Sequence, residues 1–223
     1  MTFLAKYFGS SGWLIELDDF RILIDPWLRG DLVFSPGPWL IKGQLKKLCE
    51  IPDSINLLLL TQGLPDHSHP SSLEVLDRSI PVIGSSGAAK VAENLGFNHV
   101  HQLNPGQNKI IDNVSVQATA GAPVPLLENG YIVTTDIQSF YIEPHGFLDQ
   151  TIIPCNVDAV ISPVVNLKIP LLGSFIKGKS VLPKLLEVFN PRTVLSTTTG
   201  GDAVFSGLLN NLISVDGSFE EAS

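Results

Sequence analysis

Three side chains of metal-ligand type follow a buried apolar run near the middle of the first half of the chain. The run ends at Thr61, and Asp66, His67 and His69 then lie within four positions. Loops at strand ends are where a rigid scaffold presents ligands, and Asp oxygen and His nitrogen both suit Zn²⁺ or Fe. The spacing predicts either a metal site or, as the alternative, a helix cap at Asp66 beside two ordinary surface histidines.

A second polar turn follows a later strand, in the segment FYIEPHGFLD, which carries Glu143, His145 and Asp149. Pro144 ends the strand ladder there and leaves the flanking side chains free to point outward. Solvated polar groups at a strand end are the alternative, and we favour that alternative for Asp149. For His145 we favour function, because the chain has 5 histidines and three of them lie in these two turns.

Strand-like segments and helix signals alternate along the chain, which predicts the mixed α/β class. Ser71 and Glu74 stand in capping-box spacing, Gly96 ends a helix that begins at Ala88, and Asn129-Gly130 is typical of a hairpin turn. The helices expected from these and similar patterns are a short one near Gln44–Glu50, one beginning near Ser71, Ala88–Leu95, Ser180–Phe189, and a last one after Asp202.

The 223 residues fit one large domain, 1–223, and 44% of them are hydrophobic. A formal net charge of −8 disfavours a nucleic-acid partner, because a polyanion needs a basic face. The longest apolar run is too short to cross a bilayer, no export signal is visible, and the 2 cysteines give no disulfide framework. We therefore expect a cytoplasmic protein without an integral membrane segment.

Several segments occur in the same order along the chain as similar segments of a known family: YFGSSGWLIELDDFRILIDP, LLLLTQGLPDHSH, SFYIEPHG, DAVISPV and PRTVLSTTTGGD. They resemble the metallo-β-lactamase superfamily, whose His-x-His-x-Asp-His loop falls where this chain has TQGLPDHSH. The segments TQGLPDHSH, ATAGAP, ENGY and YIEPHG more narrowly resemble an uncharacterised cyanobacterial and plant chloroplast branch. The resemblance implies a four-layer αββα sandwich with the site at one edge of two sheets.

The chain departs from that motif at the first metal site. Gln62 and Leu64 stand where the resemblance implies histidines, and Leu64 cannot coordinate a metal. Asp66 and His67 match the second metal site, while the Glu143–His145 turn replaces the bridging Asp. Either His69, His145 and Glu143 join Asp66 and His67 in a rebuilt, mononuclear site, or the pocket has lost its metal.

Two functions follow from these alternatives. The first is a hydrolase of a small ester, lactone or phosphoester that uses one divalent metal, most simply Zn²⁺, with Mn²⁺ or Fe as alternatives. The metal ligands would be Asp66, His67, His69 and His145, and the catalytic groups Asp66, His69 and Glu143. The second is a non-catalytic binding or scaffold protein that has no metal. The net negative charge of the chain disfavours a nuclease.

Overall fold

The computed structural model describes residues 2–123, 127–170, 173–198 and 201–218. Its strands are, in chain order, β1 (Phe3–Gly9), β2 (Gly12–Leu17), β3 (Phe20–Ile24), β4 (Leu32–Val33), β5 (Lys42–Leu45), β6 (Leu57–Leu60), β7 (Val82–Gly84), β8 (Val100–Gln102), β9 (Asn108–Ile111), β10 (Val114–Pro123), β11 (Leu127–Thr134), β12 (Ser139–Ile142), β13 (Ala159–Ser162), β14 (Asn166–Ile169), β15 (Gly173–Lys177), β16 (Thr193–Ser196), β17 (Ala203–Ser206) and β18 (Ser214–Asp216). Its α-helices are α1 (Pro70–Leu73), α2 (Ser86–Asn94) and α3 (Gly178–Phe189).

The chain divides into two compact units. The first unit consists of Met1–Gln102 and Gly200–Leu212, and the second unit consists of Leu103–Thr199 and Ile213–Ser223. Each unit has one six-stranded sheet and one three-stranded sheet among its described residues.

The large sheet of the first unit has the strand order β1-β2-β3-β6-β7-β8. Its first three strands are antiparallel, joined by tight turns, and β3, β6, β7 and β8 run parallel. All residues of β6 are buried, which is typical of a parallel strand covered on both faces. Leu58 and Leu60 of β6 and Ala88 of α2 belong to one hydrophobic core.

The large sheet of the second unit has the strand order β16-β13-β12-β11-β10-β9. The strands from β9 to β12 are antiparallel neighbours, and β12, β13 and β16 run parallel. Helix α3 packs on this sheet through Leu185 and Phe189, and the Phe189 ring stacks on Tyr141 with ring centroids 4.3 Å apart. The sheet thus contains both antiparallel and parallel neighbouring strands. Together with α3 it forms a mixed α/β architecture, as the sequence predicts.

The two expected sheets and the α/β class are thus confirmed, whereas the single domain over 1–223 stays a prediction. No helix among the described residues is long and apolar enough to cross a membrane.

Two predicted helices are wrong. Described residues 42–50 contain strand β5 instead of a helix, because β5 pairs with β4 and β17. The residues after Asp202 form β17, with Ala203 opposite Leu45, and then a short 3-10 turn, Leu209–Asn211. Pairing with a neighbouring strand outweighs the weak local helix preference in both segments.

Two local signals are wrong as well. Helix α1 begins at Pro70 after His69, and no side chain caps it, so the Ser71–Glu74 capping box does not form. Asn129-Gly130 lies inside β11 rather than in a hairpin turn, opposite Ala120 and Thr119. A Cβ at Gly130 would lie 2.6 Å from the Thr119 Oγ1, so glycine serves close strand packing there.

Candidate functional site

Asp25 and Thr61 follow two neighbouring parallel strands, β3 and β6, at the same sheet edge. Both residues are fully buried. The Thr61 backbone N–H donates to the Asp25 Oδ1 at 2.8 Å, and the Thr61 hydroxyl donates to the Asp25 Oδ2. The carboxyl ends of parallel strands meet at one edge, which is why residues so distant in sequence share these bonds.

His67 is fully buried against this pair. Its Nδ1 lies 2.8 Å from the Asp25 Oδ2, and its Nε2 lies 3.3 Å from the Asp66 Oδ2. A carboxylate on one ring nitrogen fixes the orientation of the imidazole and directs the other nitrogen, an arrangement common behind metal-binding histidines. Asp25 therefore aims the Nε2 of His67 toward the side chain of Asp66.

The charge state of His67 depends on the two carboxylates beside it. Burial is the largest single influence and lowers the pKa of His67, but Asp66 and Asp25 together raise that pKa well above its ordinary value. Without a metal, the two carboxylates thus favour the imidazolium form of His67. A cation held at Nε2 would compete with the proton of that form.

The loop that carries Asp66 and His67 is held by short-range contacts. The His67 and Ser68 amides both donate to the Leu64 carbonyl, and the Ser68 hydroxyl donates to the Gln62 carbonyl at 2.6 Å. A Cβ at Gly63 would lie 2.7 Å from the backbone of Gly87, so only glycine allows this close approach to α2.

The ring nitrogens of His69 form hydrogen bonds away from Asp66 and His67, with Ser72 and Asp31. The Ser72 hydroxyl accepts the Leu28 and Arg29 amides, which leaves its own proton for the His69 Nδ1 at 3.0 Å. The His69 Nε2 then donates to the Asp31 carbonyl at 3.2 Å. Both ring nitrogens are engaged, which favours a structural role, and the metal and catalytic roles of His69 stay predictions.

Glu143 closes the turn after β12 in the second unit. Its Oε2 accepts the amides of His145 and Phe147 at 3.2 and 2.6 Å, and its Oε1 accepts the Ala122 amide at 3.3 Å. Glu143 is fully buried, and its pKa is raised to about 7. Burial is the main cause, His145 opposes it, and Glu128 adds to it.

His145 lies next to a carboxylate that the sequence did not reveal as a site residue. Its Nδ1 is 2.8 Å from the Oε2 of Glu128, whose side chain is fully buried. The β11–β12 pairing ends at Tyr131 and Ile142, and Glu128 and His145 each lie three positions beyond that pair. Glu128, Glu143 and His145 each offer a ligand atom, all within 4.8 Å of one another.

Within the first unit, the structure brings Asp66 and His67 together and turns His69 toward Ser72. Within the second unit, it brings Glu143 and His145 together with Glu128. Asp149 accepts the Ala120 and Thr151 amides and is buried, so it has a structural role but is not the solvated group expected from the sequence. One metal site shared by both turns stays a prediction.

Glu128 and Asp25 are not among the site residues predicted from the sequence. The available signal for Glu128 was a single carboxylate within an apolar segment. The adjacent Asn129-Gly130 pair, which is typical of a turn, hid the fact that this segment is a strand. For Asp25 the signal was an acidic residue at the end of a buried strand.

The sequence and the fold identify the class of this protein. The chain belongs to the metallo-β-lactamase superfamily: residues 5–198 match the family described as beta-lactamase superfamily domain. The narrower resemblance to a photosynthetic branch stays a prediction.

A curated relative is the UPF0173 metal-dependent hydrolase of Paracoccus denitrificans (strain Pd 1222), which is 25% identical over 147 residues. The match covers 61% of this chain and 60% of that protein, so the chain spans less than two thirds of its relative.

Two solved structures share the fold. An isothiocyanate hydrolase from Delia radicum gut bacteria has a TM-score of 0.68 at 15% identity, covering 87% of this chain and 84% of its own. A possible metal-dependent hydrolase from Veillonella parvula DSM 2008 has a TM-score of 0.66 at 13% identity, covering 92% and 87%.

Proposed function

We propose that this protein is a metal-dependent hydrolase and that Asp66 and His67 hold its divalent cation. The observation that carries the proposal is the 2.8 Å contact between the Asp25 Oδ2 and the His67 Nδ1, which aims the Nε2 at the Asp66 carboxylate. Family membership and the metal-dependent hydrolase among its relatives support the same function.

The residues present fit such a cation. An imidazole nitrogen and a carboxylate oxygen 3.3 Å apart are both zinc-type donors, and this separation is close to that of two ligands on one metal. The carboxylate of Asp25 behind the imidazole is the usual outer partner of a metal-binding histidine. Zn²⁺ fits this set best, and Mn²⁺ and Fe use the same donors.

When bound, such a cation lowers the pKa of a coordinated water toward about 7 and polarises a carbonyl or phosphoryl oxygen. The chain itself supplies the orientation of His67 through Asp25 and Thr61. The proposed substrate is a small ester, lactone or phosphoester, because these carry the oxygen that a cation polarises. His145 as a further ligand and Glu143 as a proton-transfer group remain the predictions made from sequence.

A non-catalytic binding protein is the second candidate, and two observations favour it. Gln62 and Leu64 replace two expected ligands. His67 also pairs with both Asp25 and Asp66 when it holds a proton instead of a cation. A protein without metal would keep this cluster as a structural network.

Metal content and hydrolysis test the proposal together. Protein purified without added metal is analysed for Zn, Mn and Fe and assayed on a panel of esters, lactones and phosphodiesters. We expect the metal content to fall by about one per chain in His67→Ala and hydrolysis to fall at least about a hundredfold, the usual cost of a lost metal-site group.

His99→Ala is the matched control, because His99 is exposed on the surface. It should keep both the metal and the activity. Wild-type protein with no metal and no activity on the panel contradicts the hydrolase and leaves the binding protein. A His67→Ala variant that retains both contradicts Asp66 and His67 as the cation site.

A further inference from the structure

The cluster of Glu128, Glu143 and His145 lies entirely within the second unit and has an excess of negative groups. Each of the three residues is at most 6% exposed. Two carboxylates face one imidazole, so a charged histidine balances only one of them. A buried, uncompensated carboxylate is costly unless a proton or a cation neutralises it.

Glu128 adds an independent observation. Its Oε1 is buried and has no hydrogen-bond partner among the described residues, although its Oε2 lies 2.8 Å from the His145 Nδ1. Buried carboxylate oxygens are normally hydrogen-bonded or bound to a cation. This oxygen therefore has an open ligand position inside the cluster.

The strands around Glu128 are closely packed and fix the positions of the cluster residues. A Cβ at Gly121 on β10 would lie 3.1 Å from the Cβ of Glu128, so glycine allows β10 to approach β11 there. Glu143 is held by three backbone amides, so its position is fixed before any ligand binds.

We infer that Glu128, Glu143 and one ring nitrogen of His145 form a divalent-cation site of the second unit. Two oxygens and one nitrogen suit Zn²⁺, Mn²⁺ or Fe. Ligand atoms about 2.2 Å from a cation lie at most about 4.4 Å apart, so the observed limit of 4.8 Å requires a contraction of only a few tenths of an ångström. The site does not depend on the proposed hydrolase activity.

Calorimetric titration with Mn²⁺ and Zn²⁺ tests the site in chelator-stripped His67→Ala protein, which removes the Asp66–His67 contribution. We expect about one cation per chain in this variant. Adding Glu128→Gln should weaken the binding at least about tenfold, whereas adding Glu187→Gln, a change at an exposed position of α3, should not alter it.

Zn²⁺ titration of ¹⁵N-histidine-labelled His67→Ala protein gives a second readout if Glu128→Gln does not fold. The ring nitrogen signal of His145 should shift, while that of His99 stays in place. Three results would overturn the site: no cation binding in His67→Ala, an unshifted His145 signal, or unchanged affinity in a folded Glu128→Gln variant. In that case a proton shared within the cluster neutralises the second carboxylate. Hydrolysis does not enter these readouts, so the two proposals fail separately.

Discussion

Asp25 joins a backbone amide, a hydroxyl and an imidazole through one buried carboxyl group. These bonds connect the ends of β3 and β6 to the loop that carries His67. The residue touches no proposed substrate or cation, so it is a positioning residue. Its removal should act on both stability and cation affinity, through the orientation of His67.

Asp25→Asn should lower the free energy of unfolding by about 1–3 kcal/mol, because buried donors lose their anionic acceptor. Cation affinity should fall by about 10–100-fold, the usual effect of losing an outer partner of a ligating histidine. Urea denaturation and cation titration measure the two effects, with the exposed Asp19→Asn as control. Unchanged cation affinity in a folded Asp25→Asn variant contradicts the positioning role.

Glu143 should make the metal-free protein less stable as the pH rises. Its folded pKa of about 7 exceeds the ordinary 4.5, so between these values the folded state holds a proton that the unfolded state has lost. Stability therefore falls across this window, by up to about 3 kcal/mol, and then levels off.

Glu143→Gln removes this titration. Compared with wild type, the variant should gain relative stability between pH 4.5 and 7 in chelator-treated protein, measured by urea denaturation. Glu187→Gln should follow wild type across the same range. A parallel pH dependence of wild type and Glu143→Gln would show that Glu143 is ionised throughout.

At the scale of elements, the turn after β12 is pressed against the start of α3. Gly146 has a φ of +73°, and a Cβ there would lie 2.5 Å from the Gly178 nitrogen. The Lys177 amide also donates to the His145 carbonyl at 2.8 Å. The backbone of this turn thus fixes where His145 can lie.

Gly146→Ala should destabilise the protein more than Gly106→Ala does. Both glycines have positive φ, which costs an alanine about 1–2 kcal/mol, but nothing lies within 4 Å of a Cβ at Gly106. The clash at Gly146 should add about 1–3 kcal/mol. Urea denaturation compares the two variants, and equal losses would mean that the turn relaxes without cost.

The elements that sequence predicts well are those whose signals are local. The apolar β6 and the periodic α2 and α3 are confirmed within a few residues. The predicted helices around Gln44 and after Asp202 are wrong, because β5 pairs with both β4 and β17 and this pairing is not visible in the local sequence. Local propensity contains no information about a partner that lies so far away along the chain.

The candidate site shows the same limit. The family motif reveals Asp66 and His67, but the bonds of Asp25 depend on β3 lying beside β6, and Glu128 depends on the β11–β12 register. The hydrogen bonds of His69 to Ser72 and Asp31 likewise depend on tertiary packing.

At the scale of the whole molecule, the chain combines a net charge of −8 with two carboxylate–histidine clusters, one in each unit. A negative protein attracts divalent cations over long range, most strongly at low ionic strength. The family, the two mixed sheets and this charge balance agree with a protein that binds metal.

A cation held by the folded chain alone should raise the melting temperature. At a free concentration about 1,000 times the dissociation constant, the gain is about 4 kcal/mol, or roughly 10 °C for a chain of this size. Scanning calorimetry of chelator-stripped protein with and without added Zn²⁺ measures it. Equal melting temperatures would exclude tight binding in the folded state.

The contact of Asp25 with His67 also bears on which cations the proposed Asp66–His67 site would accept. Because the imidazole is already immobile in the folded chain, its rotational entropy is lost during folding and does not oppose the arrival of an ion. A site whose imidazole has so little freedom to adjust should discriminate by ionic radius, binding small ions with strong affinity for nitrogen and rejecting Ca²⁺.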